Sequence, residues 1–225
     1  MKAIRRGRGI WRGWPNIMSE NSEALDEFRE LLGEDDLSCT VSDALGRGGA
    51  LDAGFRPVWP GARLLGPAVT VRTFGTDLSA VFDGIAAAPA GSVLVIDSHG
   101  VVNSAFWGER TTRAALGRRL AGAVIGGACR DVVALKRLKF PVFSTGVTPN
   151  AGLPGGRGEV NVPVALGGQP VSPGDLLVAD ENGVVVVPMS KVRDTLTKVR
   201  ALLQAERELL ASTTDPALLK PEGVS

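Results

Sequence analysis

The sequence predicts an α/β domain built around a parallel or mixed sheet, and three observations carry that prediction. Residues 92–97 (SVLVID) form a short run that is apolar on both faces, as expected of a strand covered on each side. Residues 123–131 (AVIGGACRD) form a second such run, and each run ends in a polar turn that opens into a helical pattern. Beyond residue 160 the chain changes to short β-type runs separated by turns, closed by one long amphipathic helix. In an open α/β sheet, loops and helix N-termini converge at the carboxyl ends of the strands, so that rim is where a ligand would bind.

The elements follow in order. Residues 22–32 place Leu25, Phe28, Leu31 and Leu32 on one helical face, with Ser22 as cap and Gly33 as stop. Residues 40–45 read as a second short helix, started by Thr40 and Asp43 and ended by the glycines at 46–49. Residues 64–71 read as a strand in which Gly66 and Pro67 mark a bulge or an edge. A helix is expected over 78–88, the strand over 92–97, a helix over 107–121 and the strand over 122–127. Then come a helix over 131–138, a short strand over 141–145, and a Gly/Pro-rich loop over 146–157. A loop of that length is functional or lies at an interface. Residues 160–166 and 176–179 read as strands. Asp180-Glu181-Asn182-Gly183 is a hairpin turn, 184–187 its return strand, and 190–210 the closing helix. Its stripe of Val192, Leu196, Val199, Leu202 and Leu203 is expected to cover the sheet or a second subunit.

Composition narrows the function classes. The chain has 225 residues, 25 basic and 24 acidic, for a net charge of +1. Such balance argues against a nucleic-acid or membrane surface as the main partner. Cys39 and Cys129 lie far apart in unlike contexts, so a reducing, cytoplasmic compartment is expected rather than a disulfide framework. Residues 1–18, with Arg5, Arg6, Arg8 and Arg12 beside Trp11 and Trp14, are expected to form a disordered basic arm. Residues 19–212 are expected to form one domain and 213–225 a loose tail.

The chemistry concentrates in Gly108-Glu109 and, after twenty intervening residues, Arg130-Asp131. Arginine offers a planar fork that holds a carboxylate through two bonds. Aspartate is a hard oxygen ligand suited to Mg²⁺ or Mn²⁺. Glu109 could orient a water or pass a proton. Plainer readings compete: Asp131 as a helix cap, Arg130 as a surface ion pair, Glu109 as an acid placed favourably at a helix start. His99, the one histidine, fits a loop hydrogen bonder, or a general acid. One histidine and two separated cysteines leave no zinc set. No nucleophile elbow surrounds Ser104 or Ser144, and no dinucleotide-binding glycine spacing occurs.

Several blocks, in order, resemble the RraA-like family. They are residues 42–45 (SDAL), 66–71 (GPAVTV), 91–97 (GSVLVID), 126–131 (GGACRD) and 173–188 (PGDLLVADENGVVVVP). That family includes 4-hydroxy-4-methyl-2-oxoglutarate and 4-carboxy-4-hydroxy-2-oxoadipate aldolases and regulators of ribonuclease E activity. The aldolases carry an acid, twenty residues, then Arg-Asp; here Glu109 stands where they usually have Asp. The resemblance implies a layered α/β/β/α swivelling-domain fold with a mixed central sheet, assembled as a trimer or a dimer of trimers. It implies that Asp131 holds a divalent cation, that Arg130 grips the carboxylate of a 2-oxo acid, and that Gly108, Glu109, Arg110 and Thr111 form the substrate-binding turn. The expected activity is metal-dependent, pyruvate-releasing retro-aldol cleavage with Glu109 or a water it holds as base, accompanied by oxaloacetate decarboxylation. The alternative is a non-catalytic regulator that binds a ribonuclease.

Overall fold

A computed structural model describes residues 19–212 together with the backbone of Arg5–Arg6. The other residues of the basic arm and the tail after 212 lie outside the described residues. Among the described residues the strands are β1 (Arg5–Arg6), β2 (Arg56–Pro57), β3 (Leu64–Arg72), β4 (Val93–Asp97), β5 (Ala105–Trp107), β6 (Gly122–Cys129), β7 (Val142–Val147), β8 (Glu159–Val160), β9 (Val164–Leu166), β10 (Gln169–Val171), β11 (Leu176–Asp180) and β12 (Gly183–Val187). The α-helices are α1 (Ser22–Glu30), α2 (Leu37–Ala44), α3 (Ser79–Ala87), α4 (Glu109–Gly117), α5 (Val132–Arg137) and α6 (Val192–Ser212).

The main sheet runs in the order β1-β8-β3-β4-β6-β7-β2, with β3, β4, β6 and β7 parallel. These four strands lie side by side in chain order, and α3, α4 and α5 fill the connections between them. Right-handed crossovers taken in one direction put all three helices on one face. Alternate strand residues confirm it. Val69, Val71, Leu94, Ile96, Ala123 and Ile125 pack with Val81 and Ile85 of α3, Ala115 of α4 and Leu135 of α5. The intervening residues Ala68, Val93, Val95 and Val124 turn the other way, onto Leu177, Ala179, Val184 and Val186 of the β11–β12 hairpin. The far face of that hairpin, Leu176, Val178, Val185 and Val187, is covered by α1, α2 and α6. The result is four layers, α/β/β/α, as the resemblance implied.

One strand ties the two β layers together. The first half of β3 pairs antiparallel with β11, from Leu64↔Ala179 to Pro67↔Leu176, and its second half pairs with β4 and β8. The register with β11 is unbroken through Gly66 and Pro67, so they form no bulge, and β4 joins the strand only from Ala68. Gly66 is glycine because a Cβ there would collide with the carbonyl oxygen of Gly91.

Other boundaries also move. The second helix begins at Leu37, three residues before Thr40, and Asp36 precedes it in a left-handed conformation without a side-chain cap. Ser22 lies inside α1 and Asn21 stands at its cap position. Of the stripe on α6, Val192, Leu196, Val199 and Leu203 are buried and Leu202 is exposed, so the stripe covers the hairpin layer. The largest difference is at residues 105–107. The helix expected from residue 107 begins at Glu109, and Ala105–Trp107 form a strand instead. Among the described residues, no helix is long and apolar enough to cross a membrane.

Candidate active site

β6 outruns its neighbour β4. The β4 pairing ends at Asp97↔Gly126, and beyond it β5 takes the place beside β6, with Ala105↔Ala128 and Trp107↔Cys129. The carboxyl ends of β5 and β6 thus finish side by side, and the Arg130 N–H donates to the Trp107 carbonyl at 2.9 Å. Each chain then turns into a helix, α4 after Gly108 and α5 after Asp131. Trp107 anchors the first turn: its indole N–H donates to Thr112 Oγ1 at 2.8 Å and its ring stacks on Phe140.

Asp131 has φ +60°, in the left-handed region that aspartate tolerates better than most residues. Its carboxylate caps no N–H of its own helix. It points instead across the gap, where Oδ2 accepts the backbone N–H of Glu109 at 2.9 Å. That N–H belongs to the first turn of α4, where helix donors lack an internal partner and a negative charge is favoured. Arg130 Nε lies 3.6 Å from the same oxygen, and each of the two side chains is 38% exposed. Gly108 makes this approach possible: a Cβ there would lie 2.6 Å from Asp131 Oδ2 and 3.1 Å from Arg130 Cγ. The Thr111 hydroxyl fixes the turn, accepting from the Gly108 N–H and donating to the Gly108 carbonyl, each at 2.9 Å.

Beside this cluster is a hollow of about 260 Å³. Arg110, Thr111, Arg130 and Asp131 form its polar wall. Leu78 at the cap position of α3 and Phe82 within it, with Leu153 and Pro154 of the loop after β7, form its apolar one. Among the described residues the Arg110 side chain makes no ion pair, so two guanidiniums reach the hollow against one carboxylate. That balance favours an organic anion. A larger hollow of about 570 Å³ lies elsewhere on the rim, lined by Arg72, Asp97, His99 and Thr145 among others. It contains none of residues 108–111 or 130–131, so the smaller hollow is the better candidate.

Two of the candidate side chains lie outside this hollow. The Glu109 carboxylate does not line the hollow; Oε1 accepts from Arg113 at 2.6 and 3.0 Å and from Arg137 at 3.2 Å. The backbone N–H of Glu109, by contrast, meets Asp131. His99 sits in a positive-φ turn with its side chain half exposed, Nδ1 being 3.7 Å from Asp97 Oδ1, and plays no part in this hollow. Cys129 is a packed thiol beside Ser144, and burial pushes its pKa up.

A cation would find one carboxylate here. Among the described residues, no three His, Cys, Asp or Glu side chains cluster as a metal cage. Asp131 nonetheless fits Mg²⁺ or Mn²⁺. It is a hard donor facing an open hollow, and Oδ1 has no protein donor among the described residues. Such ions are commonly held by one or two carboxylates, with water and substrate completing the shell.

Comparison with known proteins places the chain in a family. The family profile described as "RraA-like: Aldolase/RraA" matches residues 38–186, well over half the chain. The chain belongs to the RraA-like family. A protein of Halalkalibacterium halodurans with the provisional name 4-hydroxy-4-methyl-2-oxoglutarate aldolase is 38% identical over 160 residues, 71% of this chain and 76% of its own length. The Thermus thermophilus protein named 4-hydroxy-4-methyl-2-oxoglutarate aldolase is 34% identical over 148 residues, 66% of this chain and 90% of its own. A solved structure from Thermus, described as the RNA-processing inhibitor RraA, is 33% identical, with a TM-score of 0.61 over 66% of this chain and 90% of that one. Proteins named as aldolases and one described as an inhibitor thus share the RraA-like fold of this chain. Its Gly108–Asp131 cluster lies wholly inside the matched region.

Proposed function

We propose that this RraA-like protein is a divalent-metal-dependent lyase that releases pyruvate from a 4-hydroxy-2-oxo acid such as 4-hydroxy-4-methyl-2-oxoglutarate. The observation that carries the proposal is the Asp131 carboxylate, held at 2.9 Å by the Glu109 N–H beside Arg130 in an open hollow. Asp131 would hold Mg²⁺ or Mn²⁺ through its free oxygen. Bound there, the cation would supply the electron sink that carbon–carbon cleavage next to a 2-oxo group requires. Arg130 binds the substrate carboxylate through its fork and balances charge that builds during cleavage. Arg110 and the backbone N–H groups at the start of α4 orient the remaining oxygens. Glu109 acts through its main chain, fixing the Asp131 rotamer; water in the hollow takes the C4 hydroxyl proton and returns one to C3 once the C3–C4 bond has broken, so that pyruvate leaves. Oxaloacetate decarboxylation needs the same electron sink and is expected as a side activity.

Phe82 and Leu153 line the hollow yet are exposed, which suits a homo-oligomer, a trimer or a pair of trimers, with a second copy completing the wall. Sedimentation tests that assembly.

The test of the reaction is a panel of 4-hydroxy-2-oxo acids and oxaloacetate assayed for pyruvate with each metal. Turnover should stop with a chelator and return with Mg²⁺ or Mn²⁺; turnover that persists in excess chelator rules the reading out. The inhibitor relative supports a second reading, a regulator that docks on a ribonuclease. Capture of a nuclease by a chain with no 2-oxo-acid chemistry would favour it.

A further inference from the structure

The apolar wall of the hollow is a loop, and something must hold it. Residues 151–154 line the cavity, yet Leu153 is 76% exposed, so little apolar burial fixes the segment. Backbone bonds from the Gly152 N–H to the Ala105 carbonyl and from the Leu78 N–H to the Leu153 carbonyl, each at 3.3 Å, hold its start, and its far end is tethered by Asp77, at the turn before α3, whose side chain is only 3% exposed. Oδ1 of Asp77 accepts the N–H groups of Ser79 and Gly155, and Oδ2 accepts that of Arg157, all at 2.9 Å. The Ser79 hydroxyl adds a bond from the Gly156 N–H at 2.8 Å, and a parallel bridge joins Asp77 to Leu153. Gly155 is glycine at a close approach, since a Cβ there would lie 2.7 Å from Asp77 Oδ2. Burial raises the Asp77 pKa, but the N–H groups of Gly155, Ser79 and Arg157 outweigh it and hold the carboxyl below its ordinary range. A buried ionised carboxylate with several donors is costly to uncouple.

We propose that Asp77 is a positioning residue: its carboxylate gathers the backbone of residues 155–157 and so fixes Leu153 and Pro154 in the wall of the substrate hollow. It touches no reacting atom. Its kinetic consequence rests on the aldolase reading, but the clamp itself does not. A loop released from Asp77 still leaves Arg130 and Asp131 in place, so substrate binding suffers more than the chemical step.

The test uses the full chain with Asp77→Ala and Asp77→Asn. Arg157 supplies a direct readout, because trypsin can cut the Arg157–Gly158 bond only when the loop lets go. Cleavage there should be roughly tenfold or more faster in Asp77→Ala than in wild type. Asp77→Asn keeps one acceptor oxygen and should fall between. For pyruvate release, KM should rise about tenfold while kcat stays within about threefold, a split that general loss of stability would not produce. If Asp77→Ala fails to fold, Asp77→Asn decides. Unchanged nicking and unchanged KM in a folded variant overturn the proposal. A wild-type chain that releases no pyruvate from any 2-oxo acid overturns the aldolase reading and the kinetic half with it, while the nicking rate still decides the clamp.

Discussion

Replacing Gly108 by alanine tests the geometry of the site with a single carbon. Gly108 has φ −168°, extended backbone that alanine adopts without strain, so the fold should tolerate the change. The site should not. The new Cβ would stand 2.6 Å from Asp131 Oδ2, and an ordinary contact begins near 3.4 Å, so the carboxylate must retreat by about 0.8 Å. Arg130 cannot yield in its place, because its Cγ is itself 3.1 Å from the same Cβ. The retreat stretches the 2.9 Å bond from the Glu109 N–H and moves the oxygen meant for the cation. A displacement of about 1 Å in a reacting constellation costs on the order of 10²-fold, or about 2.7 kcal/mol of transition-state stabilisation. The assay is kcat/KM for pyruvate release, coupled to lactate dehydrogenase, with the thermal midpoint as control. A folded Gly108→Ala protein with wild-type kcat/KM would refute the reasoning, since it would show that the Asp131 position does not matter.

Other perturbations give separate checks. Glu109→Gln leaves the backbone N–H in place and removes only ion pairs to exposed arginines, worth roughly 0–1 kcal/mol, so kcat/KM should stay within about fivefold. A loss of about a hundredfold would return the role of base to the Glu109 carboxylate. Because the folded Asp77 pKa is lowered, its contribution to stability is complete above the unfolded value near ~4 and is lost as pH falls through the folded one. The difference in thermal midpoint between wild type and Asp77→Asn should therefore be largest at neutral pH and close below about pH 4. A thiol reagent should modify exposed Cys39 in the native protein and reach buried Cys129 only on unfolding; two equally fast thiols would contradict the packing. Leu177→Ala, in the core between the two β layers, should cost about 2–5 kcal/mol in denaturant titration.

The layers were legible wherever one period dominated. The doubly apolar runs of β4 and β6 announced strands covered on both faces, and the 3.6-residue stripe of α6 announced its buried side. The Asp180–Gly183 turn fixed the β11–β12 hairpin. What failed were elements whose identity is set by distant neighbours. β5 is three residues long, and it is a strand because it pairs with the edge of β6 left when β4 stops at Asp97 and bridges to Ala151 on its other side. Its Trp107 ran into a helical pattern and Ala105-Phe106 into the loop before it, so local periodicity divided it. Yet β5 is the element that delivers Gly108 to Arg130. Gly66-Pro67 read as a bulge or an edge; in the structure they pair with β11 alone and the strand takes up β4 from Ala68, a change of partner that no local pattern reports.

The candidate site was legible as residue types and spacing, Gly108-Glu109 and Arg130-Asp131, and the structure brings those four together. The placement of the Glu109 carboxylate was not legible. Its side chain suggested proton transfer, whereas Arg113 and Arg137, one helical turn away and on the next helix, draw the carboxylate off the hollow. Asp77 was also missed, since its partners are backbone groups nearly eighty residues away in a loop without a pattern of its own. The signal that could have found it was the loop at 146–157, too long to stand unheld.

The central claim is that Asp131 holds a divalent cation where Arg130 can present a 2-oxo acid to it. Mn²⁺ titration followed by electron paramagnetic resonance measures this without turnover. The account predicts one bound Mn²⁺ per wild-type chain, binding tightened by pyruvate, loss of the ion in Asp131→Ala, and loss of the pyruvate effect alone in Arg130→Ala. Undiminished Mn²⁺ binding by a folded Asp131→Ala protein would contradict it.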